Sequence, residues 1–302
     1  ALERAGHRVL QFDPLAAGGL EHYPAALKTA LEAFRPELIG VSLRNLDNID
    51  SCTVDCRLLG ESMALIRLLR ENAPGVPVVL GGPAFTLYPE ALLAAAGCEY
   101  GVAGEGESAL AELAGELAAG RMPKPGTILR GSSPEIAGAS YPPDSARFYC
   151  DETHMLPLQT KRGCPFRCAY CTYPMLEGRV MRSRDLEAVL SDISRIRRDY
   201  PEAMIYFVDA VFNDPAREFE SLVKAMIERR LTVPWTGFIT PGHLRDGDLE
   251  LLAASGMVAA DLGVDAAADA TLAGLGKSFT FAEVRRCCAE LHELGVGVTT
   301  SV

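Results

Sequence analysis

Short apolar runs alternate with segments of helical periodicity along most of this chain, and this alternation constrains the fold more than any other feature. Runs such as Leu38–Leu43 and Val76–Leu80 have the length of buried strands. Between Tyr23 and Phe34, apolar residues instead recur at three- and four-residue intervals, as on one face of a helix. Strands that alternate with helices favour parallel sheets, because each parallel connection has to cross the length of the sheet. The sequence therefore predicts the α/β class.

The alternation occurs in two series, which predict two domains. Residues 1–125 predict a doubly wound, Rossmann-like parallel sheet. Residues 126–153 are rich in Pro, Gly and Ser and predict a linker with little regular structure. Residues 154–302 contain five strand–helix units and predict a barrel or partial barrel. The predicted strands are Arg8–Phe12, Leu38–Leu43, Val76–Leu80 and Tyr100–Ala103 in the first series, and Leu158–Lys161, Ile205–Val208, Thr236–Ile239, Ala260–Val264 and Gly297–Val302 in the second.

Both ends of the sequence fall inside predicted elements. Residues Ala1–Gly6 have the composition of the last turn of a helix, and the last predicted strand runs to Val302. We therefore expect a first strand of the N-terminal sheet and a C-terminal part of the barrel to lie outside this chain.

Charge and composition narrow the class of partner. The formal net charge is −11 at pH 7, which argues against a nucleic-acid partner, because binding DNA or RNA needs a basic surface. No apolar run approaches the ~18 residues that span a membrane, so no membrane partner is expected. The nine cysteines are odd in number and lack the even spacing of a disulfide framework. We expect a cytoplasmic protein, where closely spaced cysteines more often bind a metal or take part in catalysis.

Three of the cysteines form a compact constellation. Cys164, Cys168 and Cys171 are spaced C-x3-C-x2-C on the loop after the predicted strand Leu158–Lys161. Thiolates are the ligands of iron–sulfur clusters, and three of them leave one iron of a cubane without a protein ligand. An open metal position can bind a cofactor or a substrate. A structural zinc site that also uses His154 is the alternative.

The segment Lys161–Pro174 resembles the CxxxCxΦC signature of the radical S-adenosylmethionine (SAM) superfamily, with Tyr170 as the aromatic residue. The resemblance implies a 4Fe–4S cluster on a partial (βα)6 barrel, and an open iron that binds the amino and carboxylate groups of SAM. It also implies that Tyr170, Asp209 and Asp265 contact SAM, since both acids follow later barrel strands. The alternative is that each Asp only caps the next helix.

Three turns in the N-terminal series resemble those of the cobalamin-binding domains that precede many radical SAM domains. Glycine would let the corrin approach the sheet edge closely. The alternative is that Gly81 and Gly82 are ordinary turn residues. The turns place the expected cobalamin contacts at Ser42, Leu43, Arg44 and Asn45, at Gly81, Gly82 and Pro83, and at Gly104, Glu105 and Gly106.

Two positions depart from the cobalamin-binding pattern. Arg44 stands where the family has leucine, and Asp13–Gly18 imitates the family's Asp-x-His-x-x-Gly motif with Leu15 in place of histidine. A guanidinium stays protonated and cannot bind cobalt. If Arg44 faces the lower side of the corrin, it leaves cobalt without a protein ligand there and favours electron-rich cobalt, a catalytic role. The alternatives are an ion pair with Asp47 or Asp50, or a contact to the cobalamin side chains.

Together the resemblances imply a cobalamin-dependent radical SAM methyltransferase. Its cofactors would be a 4Fe–4S cluster, SAM and cobalamin, and its partners a small-molecule or peptide substrate and an electron donor such as flavodoxin or ferredoxin. Arg44 narrows the resemblance to the tryptophan 2-C-methyltransferases, so tryptophan is a candidate substrate. The alternatives are a methylthiotransferase, which would need Cys52, Cys56 and Cys98 for a second cluster, another non-methylating cobalamin radical SAM enzyme, and a non-catalytic cobalamin-binding regulator.

Overall fold

Two parallel sheets organise the chain, one in each of two units. The computed structural model describes residues 1–47, 57–133, 135–138 and 140–301. The chain divides into one unit from Ala1 to Glu135 and a second from Ile136 to Val302. The α/β class predicted from the alternation of strands and helices is confirmed. Within the described ranges, no helix combines the length and the apolar character that spanning a bilayer requires.

The sheet of the first unit has four parallel strands in sequential order. Its register pairs Ser42 with Gly81, so the last residues of two neighbouring strands lie side by side. Because all four strands are parallel, their carboxyl ends share one edge of the sheet. The strands are β1 (Ile39–Ser42), β2 (Val78–Gly81), β3 (Tyr100–Gly104) and β4 (Thr127–Gly131).

Helices cover both faces of this sheet. Successive side chains of a strand point to opposite faces, and the second strand shows it: Val78 and Leu80 join one apolar cluster and Val79 joins another. The first four helices contribute to the cluster of Val78 and Leu80, and the fifth packs on Val79. These helices are α1 (Gly19–Phe34), α2 (Arg57–Asn72), α3 (Pro83–Leu87), α4 (Pro89–Ala96) and α5 (Gly106–Ala118).

The second unit contains five parallel strands and a short ribbon. The parallel sheet has the order β5, β8, β9, β10, β11, as expected for successive strand–helix units, and β6 and β7 pair antiparallel outside it. The strands are β5 (Met155–Leu158), β6 (Lys161–Arg162), β7 (Arg182–Ser183), β8 (Met204–Phe207), β9 (Trp235–Ile239), β10 (Ala259–Gly263) and β11 (Gly297–Ser301).

Helices and a single large core complete the second unit. Trp235 is fully buried in this core, and its indole N–H donates to the Ser255 hydroxyl at 3.1 Å, so its one polar atom is satisfied. The helices are α6 (Pro143–Thr153), α7 (Tyr173–Leu176), α8 (Leu186–Asp199), α9 (Glu218–Glu228), α10 (Asp248–Ala254), α11 (Asp269–Gly274) and α12 (Phe281–Glu293), with a 3-10 turn at Pro241–His243.

The prediction of a linker with little regular structure over 126–153 is wrong. Strand β4 pairs with β3 along its whole length, and α6 buries Ala146 and Cys150 beside β5. The prolines and glycines that suggested a linker lie mainly in the turns around these two elements, or at the first position of α6, where proline is tolerated.

The strand predicted at Arg8–Phe12 is also wrong. Val9 and Leu10 are exposed, and the segment has no strand conformation. A strand needs a ladder partner, which this apolar run does not have among the described residues. Strand β5 ends at Leu158, earlier than predicted, because the backbone beyond it turns to meet Asp209.

Candidate functional site

A short ribbon closes the loop that carries the three cysteines. Strands β6 and β7 pair Arg162 with Arg182, so the chain between them returns to its starting point. Within this cysteine loop, residues 163–181, Cys164 is buried and Cys168 and Cys171 are half-buried. The Cys164 amide donates to the Gly178 carbonyl oxygen at 3.1 Å and ties the loop to itself. The structure thus brings the three predicted ligands together on one closed loop.

The thiols suit an iron–sulfur cluster better than a single zinc ion. Burial raises the pKa of the Cys164 thiol, and the nearby Cys171 and Cys168 raise it further, so the three groups lie within electrostatic range. Among the described residues, no three Cys, His, Asp or Glu side chains converge as the ligands of one metal ion do. The three thiols match the ligand number of a 4Fe–4S cluster with one open iron. A structural zinc site takes four protein ligands.

A segment much later in the sequence, residues 275–277, contacts the cysteine loop and acts as a clamp on it. The Ala169 amide donates to the Leu275 carbonyl oxygen at 2.9 Å. Gly276 has a φ of +74°, and a Cβ there would lie 2.5 Å from the Arg167 carbonyl oxygen. Only glycine permits this approach of two backbones. The segment after α11 therefore fixes the part of the loop that contains Cys168.

Lys277 continues this clamp through its side chain, which is only 7% exposed. Its ammonium donates to the Tyr170 hydroxyl at 3.0 Å and to the Gly263 carbonyl oxygen at 2.8 Å, and it pairs with Asp265. Tyr170 also donates to Asp265. Although burial opposes the charged form, Asp265 and Tyr170 raise the pKa of Lys277 above its usual value. The predicted residues Tyr170 and Asp265 thus contact each other directly, and both contact a lysine that the sequence analysis missed.

Asp265 itself adopts an uncommon backbone conformation. Its φ is +66°, which is left-handed and unusual for a residue with a side chain. This conformation directly follows β10 and accompanies the contacts to Tyr170 and Lys277. The only sequence signal for Lys277 was its place after the helix that follows Asp265, and no motif marked it.

Asp209 lies in a different setting from the one predicted. Its carboxylate is fully buried, accepts from the Thr160 amide at 2.7 Å and the Lys161 amide at 3.1 Å, and also accepts from the Thr160 hydroxyl. Burial raises the pKa of Asp209, and the Lys161 ammonium and the Thr160 hydrogen bonds oppose that shift. Asp209 therefore holds the backbone that leads into the cysteine loop, rather than facing open space where SAM could bind.

Lys161 makes a second buried contact between the backbone after β5 and the segment after β8. Its ammonium donates to the Phe212 carbonyl oxygen at 2.6 Å and pairs with Asp214 at 2.8 Å. Asp214 in turn accepts from the amides of Glu218 and Phe219 at the start of α9. Burial opposes ionisation, but Lys161 and these amides hold the pKa of Asp214 below its usual value.

In the first unit, the turn after β1 packs against the turn after β2. The Leu43 amide donates to the Gly81 carbonyl oxygen at 2.8 Å. A Cβ on Gly82, whose φ is +93°, would lie 2.6 Å from the Leu43 carbonyl oxygen and 2.7 Å from the Ser42 hydroxyl oxygen. The protein's own backbone therefore requires glycine at position 82.

The turn after β3 packs in the same way against the turn after β4. A Cβ on Gly104, whose φ is +85°, would lie 2.5 Å from the Gly131 carbonyl oxygen. The Glu105 amide donates to that same oxygen at 3.2 Å, and the Glu105 carboxylate accepts from the Ser133 amide at 2.6 Å. The three turns predicted from the sequence thus lie along one edge of the sheet.

The other predicted residues at this edge differ in their surroundings. Leu43 is buried and packs in the core, whereas Ser42, Arg44 and Asn45 are exposed, as is Pro83, the first residue of α3. Their hydroxyl, guanidinium and amide groups are donors that suit the amide and phosphate groups of a corrinoid.

Two glycines at this edge are not required by the protein itself. An added Cβ on Gly81 would lie 3.5 Å from the Val102 carbonyl oxygen, and one on Gly106 would lie 3.6 Å from the Val102 side chain, both ordinary contacts. The protein's own packing therefore accounts for Gly82 and Gly104, and it leaves room for a Cβ at Gly81 and Gly106.

Of the three cysteines considered for a second cluster, the structure describes Cys98. Cys52 and Cys56 lie outside the described residues, as does Asp50. Cys98 is buried, and burial raises the pKa of its thiol to about 11. Cys98 packs in the apolar cluster of the first unit, where it behaves as a small apolar side chain.

Comparisons with known proteins agree with this geometry. Residues 158–302 match the model of the radical SAM superfamily, and residues 1–114 match that of the B12 binding domain. The match ranges contain the cysteine loop and the glycine turns, respectively.

The matches to individual relatives are low in sequence identity but cover most of this chain. The tryptophan 2-C-methyltransferase of Streptomyces laurentii is 24% identical over 82% of this chain and 53% of its own length. An uncharacterized methyltransferase of Pyrococcus horikoshii is 24% identical over 83% of this chain and 56% of its own length. The chain thus spans about half the length of the curated relatives it matches.

A solved structure supports the fold. The radical SAM methyltransferase TsrM from Kitasatospora setae, with tryptophan substrate and a SAM analog bound, superposes with a TM-score of 0.82 at 24% identity. The match covers 93% of this chain and 60% of TsrM.

Proposed function

The chain is a member of the radical SAM superfamily that also carries a B12-binding domain, and from this premise we propose that it is a cobalamin-dependent methyltransferase. The proposed reaction transfers a methyl group from SAM to an unactivated carbon of a small-molecule or peptide-derived substrate. Relatives named as methyltransferases support this choice of reaction.

One observation carries the proposal: a single chain presents both a closed loop with three thiols and a sheet edge with three packed turns, two of which contain glycines. The thiols are a donor set for an iron–sulfur cluster with one open iron. The glycine turns lie at the carboxyl ends of parallel strands, where α/β sheets bind ligands. Either feature alone would fit several activities, whereas the pair fits a two-cofactor enzyme.

The proposed roles of individual residues follow from the chemical groups on the loop and at the sheet edge. When bound, SAM would supply the methyl group and leave as S-adenosylhomocysteine, and cobalamin would supply the cobalt chemistry for methyl transfer to the substrate carbon. We assign cluster binding to Cys164, Cys168 and Cys171. Tyr170 and Asp265 are the proposed SAM contacts on the clamped loop. A flavodoxin or ferredoxin is the proposed source of any electron that the cluster needs.

Arg44 has the catalytic role in this proposal. It is exposed and directly follows the buried Leu43, so its backbone is anchored while its side chain is accessible to a ligand. A guanidinium cannot bind cobalt, so a cobalamin held against Arg44 would gain no cobalt ligand from this residue. The absorption spectrum of bound cobalamin should change in Arg44→Leu. An unchanged cobalt coordination would remove this role.

Tryptophan is the first substrate to test, because it is the substrate of the relative from Streptomyces laurentii and of TsrM. The protein is reconstituted without oxygen with iron, sulfide and cobalamin, then incubated with SAM, a reductant and tryptophan. Mass spectrometry should detect S-adenosylhomocysteine and methylated tryptophan, and neither product in Cys168→Ala.

The same assay separates the alternatives. If S-adenosylhomocysteine appears together with a methylated compound other than tryptophan, the protein is a methyltransferase with a different substrate. A sulfur-containing product would indicate a methylthiotransferase. Cobalamin binding without any turnover of SAM would indicate a regulator and contradict the proposal.

A further inference from the structure

One hydroxyl group joins two of the glycine turns. Thr86 lies on α3, four residues after Gly82, and its hydroxyl donates to the Gly82 carbonyl oxygen at 2.9 Å. The same oxygen atom of Thr86 accepts from the Gly104 amide at 3.0 Å. The turn after β2 and the turn after β3 therefore meet at a single side chain, which is neither a turn residue nor part of a motif.

Half of this arrangement is ordinary. Threonine in a helix often donates to the carbonyl oxygen four residues earlier, and that bond alone would carry no inference. The bond from Gly104 is different, because it crosses between strands and satisfies an amide in a left-handed turn. Gly104 cannot move to another acceptor without disturbing its close packing on the Gly131 carbonyl oxygen.

The contacts extend across the whole edge. Gly82 packs on Ser42 and Leu43, Thr86 joins Gly82 to Gly104, and Gly104 packs on Gly131. The carboxyl ends of all four strands are thereby connected in one series of contacts. A ligand that lies along this edge meets a surface whose shape depends on Thr86.

We propose that Thr86 is a positioning residue of the cobalamin site, which holds the Gly82 and Gly104 turns at the spacing that the corrinoid requires. The proposal rests on the function proposed above. Thr86 acts through the two turns: its one O–H donates to Gly82 and its oxygen accepts from Gly104, so this role requires no contact with the ligand.

The test compares Thr86→Val with Thr86→Ser. Valine has nearly the shape of threonine but no hydroxyl, whereas serine keeps the hydroxyl. Because the Gly82 and Gly104 turns lose the hydroxyl that joins them, we expect Thr86→Val to weaken hydroxocobalamin binding about tenfold in equilibrium dialysis. Thr86→Ser should bind within about threefold of the wild type. If Thr86→Val does not fold, Thr86→Ala replaces it.

Hydrogen exchange of the cobalamin-free protein provides an independent readout. Peptides that span residues 100–106 should exchange faster in Thr86→Val than in the wild type or Thr86→Ser, because the Gly104 amide loses its acceptor. Unchanged exchange would overturn the role of the hydrogen bond. Faster exchange with unchanged affinity would overturn the role in cobalamin binding, as would a serine variant that binds as weakly as the valine variant.

The two readouts also separate this inference from the proposed function. A wild-type protein that binds no cobalamin would contradict the proposed function and overturn the assignment of Thr86 to a cobalamin site. Hydrogen exchange would still show whether Thr86 fixes the two turns.

Discussion

Glycines that look equivalent in the sequence differ in what requires them. Gly81 and Gly82 are adjacent in one turn, yet only Gly82 has a positive φ and a close backbone neighbour. The sequence could identify the pair but not separate its members, because the atoms that exclude a Cβ from Gly82 belong to residues about forty positions away. The protein's own atoms leave room for a Cβ at Gly81.

This difference predicts opposite effects of two neighbouring substitutions. Gly81→Ala should leave the thermal unfolding of the protein nearly unchanged, because the added methyl group makes only an ordinary contact with the Val102 carbonyl oxygen. It should weaken cobalamin binding, because the methyl group would occupy space proposed for the ligand. Gly82→Ala should destabilise the fold by about 1–3 kcal/mol through backbone strain and the clash with Leu43. Circular dichroism and cobalamin titration check both. Equal stability of the two variants would contradict the assignment.

At the scale of elements, the cysteine loop is held by segments far away in the sequence. Asp209 is 49 residues from Thr160, and Lys277 is 107 residues from Tyr170. The sequence predicted the three thiols because a short motif contains them all. It could not predict these ties, because only the folded sheet brings their partners together. Asp209 was identified from its place after a strand, and its observed partners, Thr160 and Lys161, were not predicted.

Lys277 should affect how firmly the loop holds iron. Groups that orient metal ligands typically change metal affinity about 10- to 100-fold when they are removed. We expect Lys277→Met to lose iron at least about tenfold faster than the wild type when the reconstituted protein is exposed to a chelator. Lys224→Met, at an exposed ion pair on α9, is the control and should retain iron normally. Equal iron loss from the two variants would show that the clamp has no such role.

Asp209 should affect stability even without a cluster. Asp209→Ala leaves the buried amides of Thr160 and Lys161 without an acceptor, which should lower the free energy of unfolding by about 2 kcal/mol. Asp209→Asn keeps one oxygen for the amides and should lose less. The single tryptophan, Trp235, lies in the core of the same unit, so its fluorescence during urea unfolding reports the change. A larger loss in the Asn variant would contradict this account.

At the scale of the whole molecule, strands with strong apolar runs were predicted within a few residues, from Leu38–Leu43 to Gly297–Val302. Two predictions failed where local composition and tertiary pairing disagree. Residues 126–153 were read as a linker, although β4 pairs with β3, and Arg8–Phe12 was read as a strand on its apolar residues alone. The composition of a segment indicates which backbone conformations it can adopt. Whether it forms a paired strand depends on a partner strand elsewhere in the chain.

The central claim is that one chain holds two cofactors at separate groups of residues. The most direct test measures iron and cobalamin in the same reconstituted preparation of the wild type, Cys168→Ala and Gly81→Ala. The account predicts about four irons and one cobalamin per wild-type chain. Cys168→Ala should lose iron and keep cobalamin, and Gly81→Ala should do the reverse. A wild-type chain with about eight irons, or with no cobalamin, would contradict the account.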